Sequence, residues 1–385
     1  MITNISIKNY KSVVDASLPL GRFNLLIGAN GCGKSNILEG IAMGAAASSD
    51  KLDYEYFANR GIRVVDPLFM LPAFDEIKDE TICISVKDQI DNPALFNIRY
   101  NKDAKPAHWE NVIKYITDVS GNSAGEHHDV NDFAKLYLQL QERLDSKFPL
   151  FRLTAKGKKL IMASANTELE QFLIYSLEES KLRRADDSNR TYPLGRHGEG
   201  LFAYLKDLSQ RENAVEIFNE IKENLKVLDW FDDMEVPSGQ LSMEFNLKLK
   251  DSYLAEAINI FDQRSTNEGF LYLLFYLTLI ISDETPKFFA IENIDTAFNP
   301  KLCREVTRRL IELARKHDKQ IIATTHNAAV LDGMNIFEDD VRLHVVRRSI
   351  DGYTKTNRVT LKTEMSMPFS EAWVRGFIGG LPDNF

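Results

Sequence analysis

Only three cysteines, Cys32, Cys83 and Cys303, occur in 385 residues. An odd number at these spacings fits neither a disulfide framework nor a zinc site, and a reducing cytoplasm is the simplest home. Long apolar runs are missing as well. The most apolar stretch, 271–281, is about half as long as a transmembrane helix requires and has Glu268 and Asp283 near its ends. It reads as a buried helix, and no membrane is expected as a partner. At the N-terminus Asn4, Lys8, Asn9 and Lys11 break up the apolar residues, so no signal-peptide core forms. Positive charge is not in excess: 47 Lys and Arg against 56 Asp and Glu leave a net charge of −9. That balance excludes a surface coated throughout for nucleic acid and leaves room only for a local basic groove. No internal repeat is visible, and no heptad run is long enough for a coiled-coil arm.

What remains is ordinary globular material, 44% apolar and 27% charged, enough for two or three compact units. Ile2, Ile5 and Ile7, then Val13, Val14 and Leu18, read as two strands joined by a polar turn at 9–12. Phe23-Asn24-Leu25-Leu26-Ile27 reads as a buried strand that ends in glycine. After it Ile37, Leu38, Ile41 and Ala45 recur at helical spacing, so the order is strand, Gly-rich loop, helix. Residues from about 75 to 100 alternate like strands again. From about 105 to 260 the pattern is mostly helical, with Leu136, Leu138, Leu140 and Leu144, then Phe202, Leu205 and Leu208, then Ile217, Ile221 and Leu225. Polar loops interrupt it at 118–126 and 185–198. Beyond 285 strand and helix alternate, with Phe288–Ile291, a helix Pro300–Lys316 started by Asn299, and a strand at 321–325.

The strongest chemical signal is Gly28-Ala29-Asn30-Gly31-Cys32-Gly33-Lys34-Ser35, which fits GxxxxGK[ST] in the strand-to-helix context that the motif needs. Its glycines turn backbone N–H groups toward phosphate oxygens, Lys34 brings a cation to the outer phosphates, and Ser35 offers a hydroxyl to Mg²⁺. Phe288-Phe289-Ala290-Ile291-Glu292 is an apolar strand ending in a carboxylate, where a nucleotide enzyme holds its metal. A second such strand ends in His326. His127 and His128 lie beside Glu126 and Asp129 without further ligand spacing, and are left on the surface. Two basic clusters, Arg152, Lys156, Lys158 and Lys159 and then Lys181, Arg183 and Arg184, are either solvated faces or a path for DNA phosphates.

Together these pieces resemble the ABC-type ATPase heads of the SMC, RecF and OLD-like group. Ile5-Ser6-Ile7-Lys8-Asn9-Tyr10-Lys11-Ser12 is similar to the group's first hairpin, and Asn30-Gly31-Cys32-Gly33-Lys34-Ser35-Asn36 to its phosphate loop. Ser265-Thr266-Asn267-Glu268-Gly269-Phe270 is similar to its signature motif, although a plain helix cap would use the same residues. Glu292-Asn293-Ile294-Asp295-Thr296-Ala297-Phe298-Asn299 resembles Walker B and the D-loop, and Thr324-Thr325-His326-Asn327 the switch histidine. Pro193-Leu194-Gly195-Arg196-His197-Gly198 is similar to a Gly-containing segment of prokaryotic OLD-like ATPases.

The resemblance implies an α/β fold: an ABC-type P-loop ATPase head with a mixed sheet core and a helical insertion lobe, without coiled-coil arms. It divides the chain into 1–100 with the phosphate loop, 101–264 as the insertion, and 265–385 with the signature helix, Walker B, D-loop and switch histidine. It implies ATP and Mg²⁺ as cofactors, held by Asn30, Gly31, Cys32, Gly33, Lys34, Ser35 and Asn36, with Ser35 and Glu292 on the metal. Asn267 and Gly269 would complete the site of a second copy, which makes the protein a homodimer or higher homo-oligomer. Catalysis would fall to Glu292, Asn293, Asp295 and His326. Two departures stand out: Asn293 replaces the second Walker B carboxylate and cannot accept a proton, and Asn267 replaces the signature serine. Slow hydrolysis is the expectation. Heads of this kind often serve anti-phage systems beside a separate nuclease or toxin. Little sequence follows His326 and no HNH pattern is present, so an effector is expected in trans. A RecF-like DNA-repair ATPase is the alternative; a transporter ATPase fits less well, because the signature lacks the LSGGQ form.

Overall fold

A computed structural model describes residues 1–74, 76–77, 80–89, 93–111, 151–156, 159–164, 167–184, 193–236, 247–255, 260–262, 264–360 and 367–381. The first strands are β1 (Ile2–Tyr10), β2 (Val13–Pro19), β3 (Phe23–Ile27), β4 (Thr81–Asp88), β5 (Pro93–Asn101) and β6 (His108–Asn111). Then follow β7 (Phe151–Lys156), β8 (Lys159–Ser164), β9 (Ile174–Tyr175), β10 (Phe231–Glu235), β11 (Lys248–Asp251) and β12 (Ile260–Asp262). The last are β13 (Phe288–Ile291), β14 (Gln320–Thr324), β15 (Val341–Arg348) and β16 (Thr354–Arg358). The helices used below are α1 (Lys34–Ser48), α2 (Tyr54–Arg60), α3 (Leu201–Leu208), α4 (Ala214–Leu225), α5 (Glu268–Ile281), α6 (Pro300–Lys316) and α7 (Phe369–Val374).

Two sheets clasp α1. One is antiparallel in the order β2-β1-β4-β5-β6; the other is mixed in the order β16-β15-β3-β14-β13-β9. Strand β3 lies in the middle of the second sheet, parallel to β14 and β15. A strand covered on both faces must be apolar at nearly every position, which is why Phe23–Ile27 shows no polar alternation. Phe23, Leu25 and Ile27 join the core on the α5 and α6 side, and Leu26 joins the core around α1. The exception, Asn24, is buried but satisfied: it accepts from the Gly21 N–H and donates to the carbonyls of Gly21 and Ile321. Thirteen residues of α1 are buried, as a helix pressed between two sheets requires.

On the far face α5 is apolar through every turn and almost wholly buried. Asn299 caps α6 by accepting from the Leu302 N–H at 2.9 Å, with Pro300 in the first turn. Its inner stripe includes Val306, Leu310 and Leu313, while Arg308 and Arg309 pair with Glu305 on the outside. The expected hairpin at the start of the chain and the strands near 81–101 are present, as are the helices around Phe202 and Ile221. Between 105 and 260 the structure also holds strands that helical periodicity does not suggest. In Arg152-Leu153-Thr154-Ala155 and Phe231-Asp232-Asp233-Met234 the short runs alternate, and hairpin pairing decides them. The leucines at 136–144, the loop at 118–126, and His127 and His128 lie outside the described residues. No disulfide involves the three cysteines. No helix among the described residues is long and apolar enough to cross a membrane.

His344, in β15, is fully buried. Burial, followed by the nearby Arg342 and Arg358 cations, lowers its imidazole to about 4. The unfolded chain titrates near the ordinary value of about 6.5, so it binds the extra proton first. Stability is therefore full above that value and is lost as pH falls toward about 4. Urea unfolding should show a loss of about 2 kcal/mol between pH 7 and pH 5 that is absent in His344→Leu. Equal pH dependence in the two proteins would contradict the assignment.

Candidate functional site

Strand β3 delivers the chain into a loop that only glycine can build at two points. A Cβ at Gly28 would fall 2.1 Å from Val346 O, and one at Gly33, where φ is 110, would fall 2.0 Å from Thr354 Oγ1. Gly31 has φ 73 and open space on its Cβ side. Thr354 ties the loop to the rest of the chain: its hydroxyl donates to Cys32 O at 2.9 Å and meets Ser12 Oγ at 2.7 Å. Arg348 Nε donates to Gly31 O at 3.1 Å. At the head of α1, Gly33 offers no capping side chain and the first turn holds no acid. The positive end of the helix is thus left for an external anion.

Lys34 is only 7% exposed. Its ammonium donates to Gly28 O at 2.7 Å and Ala29 O at 3.1 Å, across the mouth of the loop. Burial lowers its pKa, with the neighbouring Cys32 thiol opposing. Ser35 Oγ donates to Glu292 Oε1 at 2.6 Å. A hydroxyl and a carboxylate in contact are the hard oxygen donors that Mg²⁺ takes, so the residues present fit that ion. Asn36 Nδ2 donates to Ser12 Oγ at 2.7 Å, and its Oδ1 accepts from Arg63 at 3.0 Å. Asn30 is exposed at the loop tip.

Glu292 ends β13, and its N–H donates to Tyr175 O at 2.8 Å. Asn293 follows at φ 50, a left-handed backbone that asparagine tolerates better than most residues. Its N–H donates to Thr324 Oγ1 at 3.0 Å, while the side chain is exposed. Asp295 Oδ1 accepts the Thr325 hydroxyl at 2.6 Å, which fixes this carboxylate to the end of β14. His326 follows Thr325. Burial and then the Lys34 cation hold its imidazole below the ordinary value, against Asp295, so it is neutral at pH 7. Asn267 caps α5 by accepting from the Phe270 N–H at 2.8 Å. A Cβ at Gly269 would lie 3.0 Å from Ala297 O, so the start of α5 touches the segment after Glu292. Within one chain no hydrogen bond links Asn267 or Gly269 to the phosphate loop among the described residues.

Sequence reasoning missed the support around this constellation. Glu39 is buried in α1 and binds Tyr10, Lys11 and Arg63. Thr354 and Arg348 come from the far end of the chain, and no local pattern marks them. Lys181 and Arg183 of the second basic cluster are engaged by Glu199 and Glu179. No group of three or more His, Cys, Asp or Glu suited to a metal occurs among the described residues.

A family model for the AAA ATPase domain matches residues 1–268. No curated protein matches by sequence. Among solved structures the chain is similar to an Smc head bound to the C-terminal winged-helix domain of ScpA, at 14% identity and TM-score 0.54, over 94% of this chain and 99% of that one. It is also similar to an Smc head with an extended coiled coil, bound to the C-terminal domain of ScpA derived from Pyrococcus furiosus. There the identity is 12% and the TM-score 0.54, over 94% of this chain and 96% of that one. With the glycine-built loop between β3 and α1 and the carboxylate at the end of β13, the family model fixes the family and the solved structures the fold: the chain belongs to the AAA ATPase domain family and has the fold of an SMC-like P-loop ATPase head.

Proposed function

We propose that the chain binds ATP with Mg²⁺, closes on a second copy around the nucleotide, hydrolyses it slowly, and acts as sensor and scaffold for a separate effector in prokaryotic anti-phage defence. The observation that carries the ATP part is the Ser35–Glu292 contact at 2.6 Å beside the buried Lys34. On this reading Asn30, Gly31, Cys32, Gly33 and Asn36 shape the cradle, Ser35 and Glu292 hold Mg²⁺, and the bound metal supplies charge to the outer phosphates. Asn293 supports slow turnover, since its amide takes no proton. Asp295 and His326 complete the site as positioning groups. Asn267 and Gly269, at the head of α5, contact the second copy's nucleotide. On this reading residues 1–100 and 265–385 form the body of the ATPase lobe and 101–264 the insertion, which returns β6 and β9 to the two sheets of that lobe.

The effector role is supported by the solved heads of this fold, which carry a domain of another protein. A neighbouring gene for a nuclease or toxin whose product co-elutes with the ATP-loaded chain would bear it out. A repair or clamp gene in that place would favour the DNA-repair alternative.

Pairing is tested by light scattering with Mg²⁺ and a non-hydrolysable ATP analogue. The mass should rise from that of one chain to that of two, because the head of α5 completes a site only in trans. A mass of one chain at saturating analogue would exclude the sandwich.

A further inference from the structure

Arg196 stands at the same end of the sheet as Glu292 and has one weak hydrogen-bond acceptor among the described residues. Its backbone is stitched to the segment that continues β9: the Ser176 N–H donates to Arg196 O at 2.9 Å, and the Glu178 N–H to His197 O at 3.0 Å. Strand β9 runs parallel to β13 with Tyr175 opposite Ile291. Arg196 is therefore carried beside the strand that carries Glu292, at the carboxyl ends where open α/β sheets bind ligands. Its guanidinium reaches the end of α2. Nη1 donates to Ala58 O at a long 3.5 Å, and a Cβ at Gly61 would lie 3.3 Å from Nη2. Arg63, two residues on, bonds to Asn36 of the phosphate-loop helix.

The remaining donors of this fork have no partner among the described residues, and Nε is buried without one. Burial lowers the Arg196 pKa; the carboxylates that oppose it are Glu292 first, then Glu199, Glu178 and Glu39. Each of the four is engaged elsewhere. Glu292 takes the Ser35 hydroxyl; Glu199 takes Lys181 at 3.6 Å and the His197 N–H at 3.0 Å. Glu178 faces the His197 ring at 3.3 Å, and Glu39 holds Tyr10, Lys11 and Arg63. A half-buried guanidinium with idle donors, beside a carboxylate that a metal would neutralise, is suited to an oxyanion.

The order of strands indicates which one. From β3, which bears the phosphate loop, the sheet runs through β14 and β13 to β9. Glu292 at the end of β13 lies between the loop and the β9 edge that carries Arg196, so a phosphate in contact with Arg196 is one that a metal on Ser35 and Glu292 also reaches, at the outer end of the nucleotide. We propose that Arg196 is a phosphate-contacting residue that donates to the terminal phosphate present in ATP and absent from ADP. The inference rests on the reading of this site as an ATP site.

The test is calorimetric titration of ATP and of ADP, both with Mg²⁺, into wild type, Arg196→Gln, Arg196→Lys and Lys34→Ala. Arg196→Gln should weaken ATP roughly ten- to hundred-fold, the value of a charged hydrogen bond, and ADP by less than about threefold. Arg196→Lys keeps the charge without the planar fork and should fall between. It carries the test if the Gln variant does not fold. Arg196 variants that leave ATP unchanged, or weaken ATP and ADP alike, while Lys34→Ala loses both, would overturn the role of Arg196 and leave the site standing. A wild type that binds neither nucleotide would overturn the site and this inference with it.

Discussion

Lys34→Ala should weaken ATP binding by roughly 100-fold or more, and calorimetry should detect no tight complex. Lys34 is the cation at the mouth of the loop, nearly buried, with its ammonium on the carbonyls of Gly28 and Ala29. Burial already lowers its pKa, so the fold holds a charge there against a desolvation penalty. Such a charge gains most from an anion, because hydrogen bonds between ionised partners are about twice as strong as neutral ones. The variant removes the penalty together with two hydrogen bonds, and these changes oppose each other, so thermal unfolding should shift little. Equal ATP affinity in wild type and Lys34→Ala would place the nucleotide elsewhere.

How much of this was legible in the sequence depends on how local each signal is. The phosphate loop could be read because its glycines, lysine and serine are consecutive, and because the flanking periods change from that of a strand to that of a helix. Asn299 and Pro300 announced α6 for the same reason, since capping is a contact over three residues. The β7–β8 and β10–β12 pairings were not legible. Their runs are three to six residues long, and tertiary pairing, not propensity, makes them strands. Thr354 bonds to Cys32 across more than three hundred residues of chain, a contact that no window of sequence contains. Arg196 lay in a segment noticed only for its glycines; its nearness to Glu292 follows from β9 pairing with β13, which the two residues of β9 do not advertise.

The second large effect concerns hydrolysis. A positioned general base contributes roughly 10²- to 10⁴-fold, and Asn293 supplies none. Of its neighbours, Asp295 is tied to Thr325 at 2.6 Å, and His326, just past the end of the neighbouring strand β14, is read as a positioning group. Asn293→Glu should therefore raise phosphate release by roughly tenfold or more if the water is already well placed. The left-handed backbone at 293 makes this substitution cost about 1 kcal/mol of stability, because a longer side chain fits that region less well than asparagine. On the proposed reading, wild type should accordingly hold ATP through a long-lived closed state.

The most direct measurement is steady-state phosphate release by wild type, Asn293→Glu and Asp295→Asn at saturating Mg²⁺ and ATP. Slow release in wild type, a rise in Asn293→Glu and little change in Asp295→Asn are the predicted results. Fast release in wild type that Asn293→Glu leaves untouched and Asp295→Asn destroys would contradict the account and make Asp295 the base.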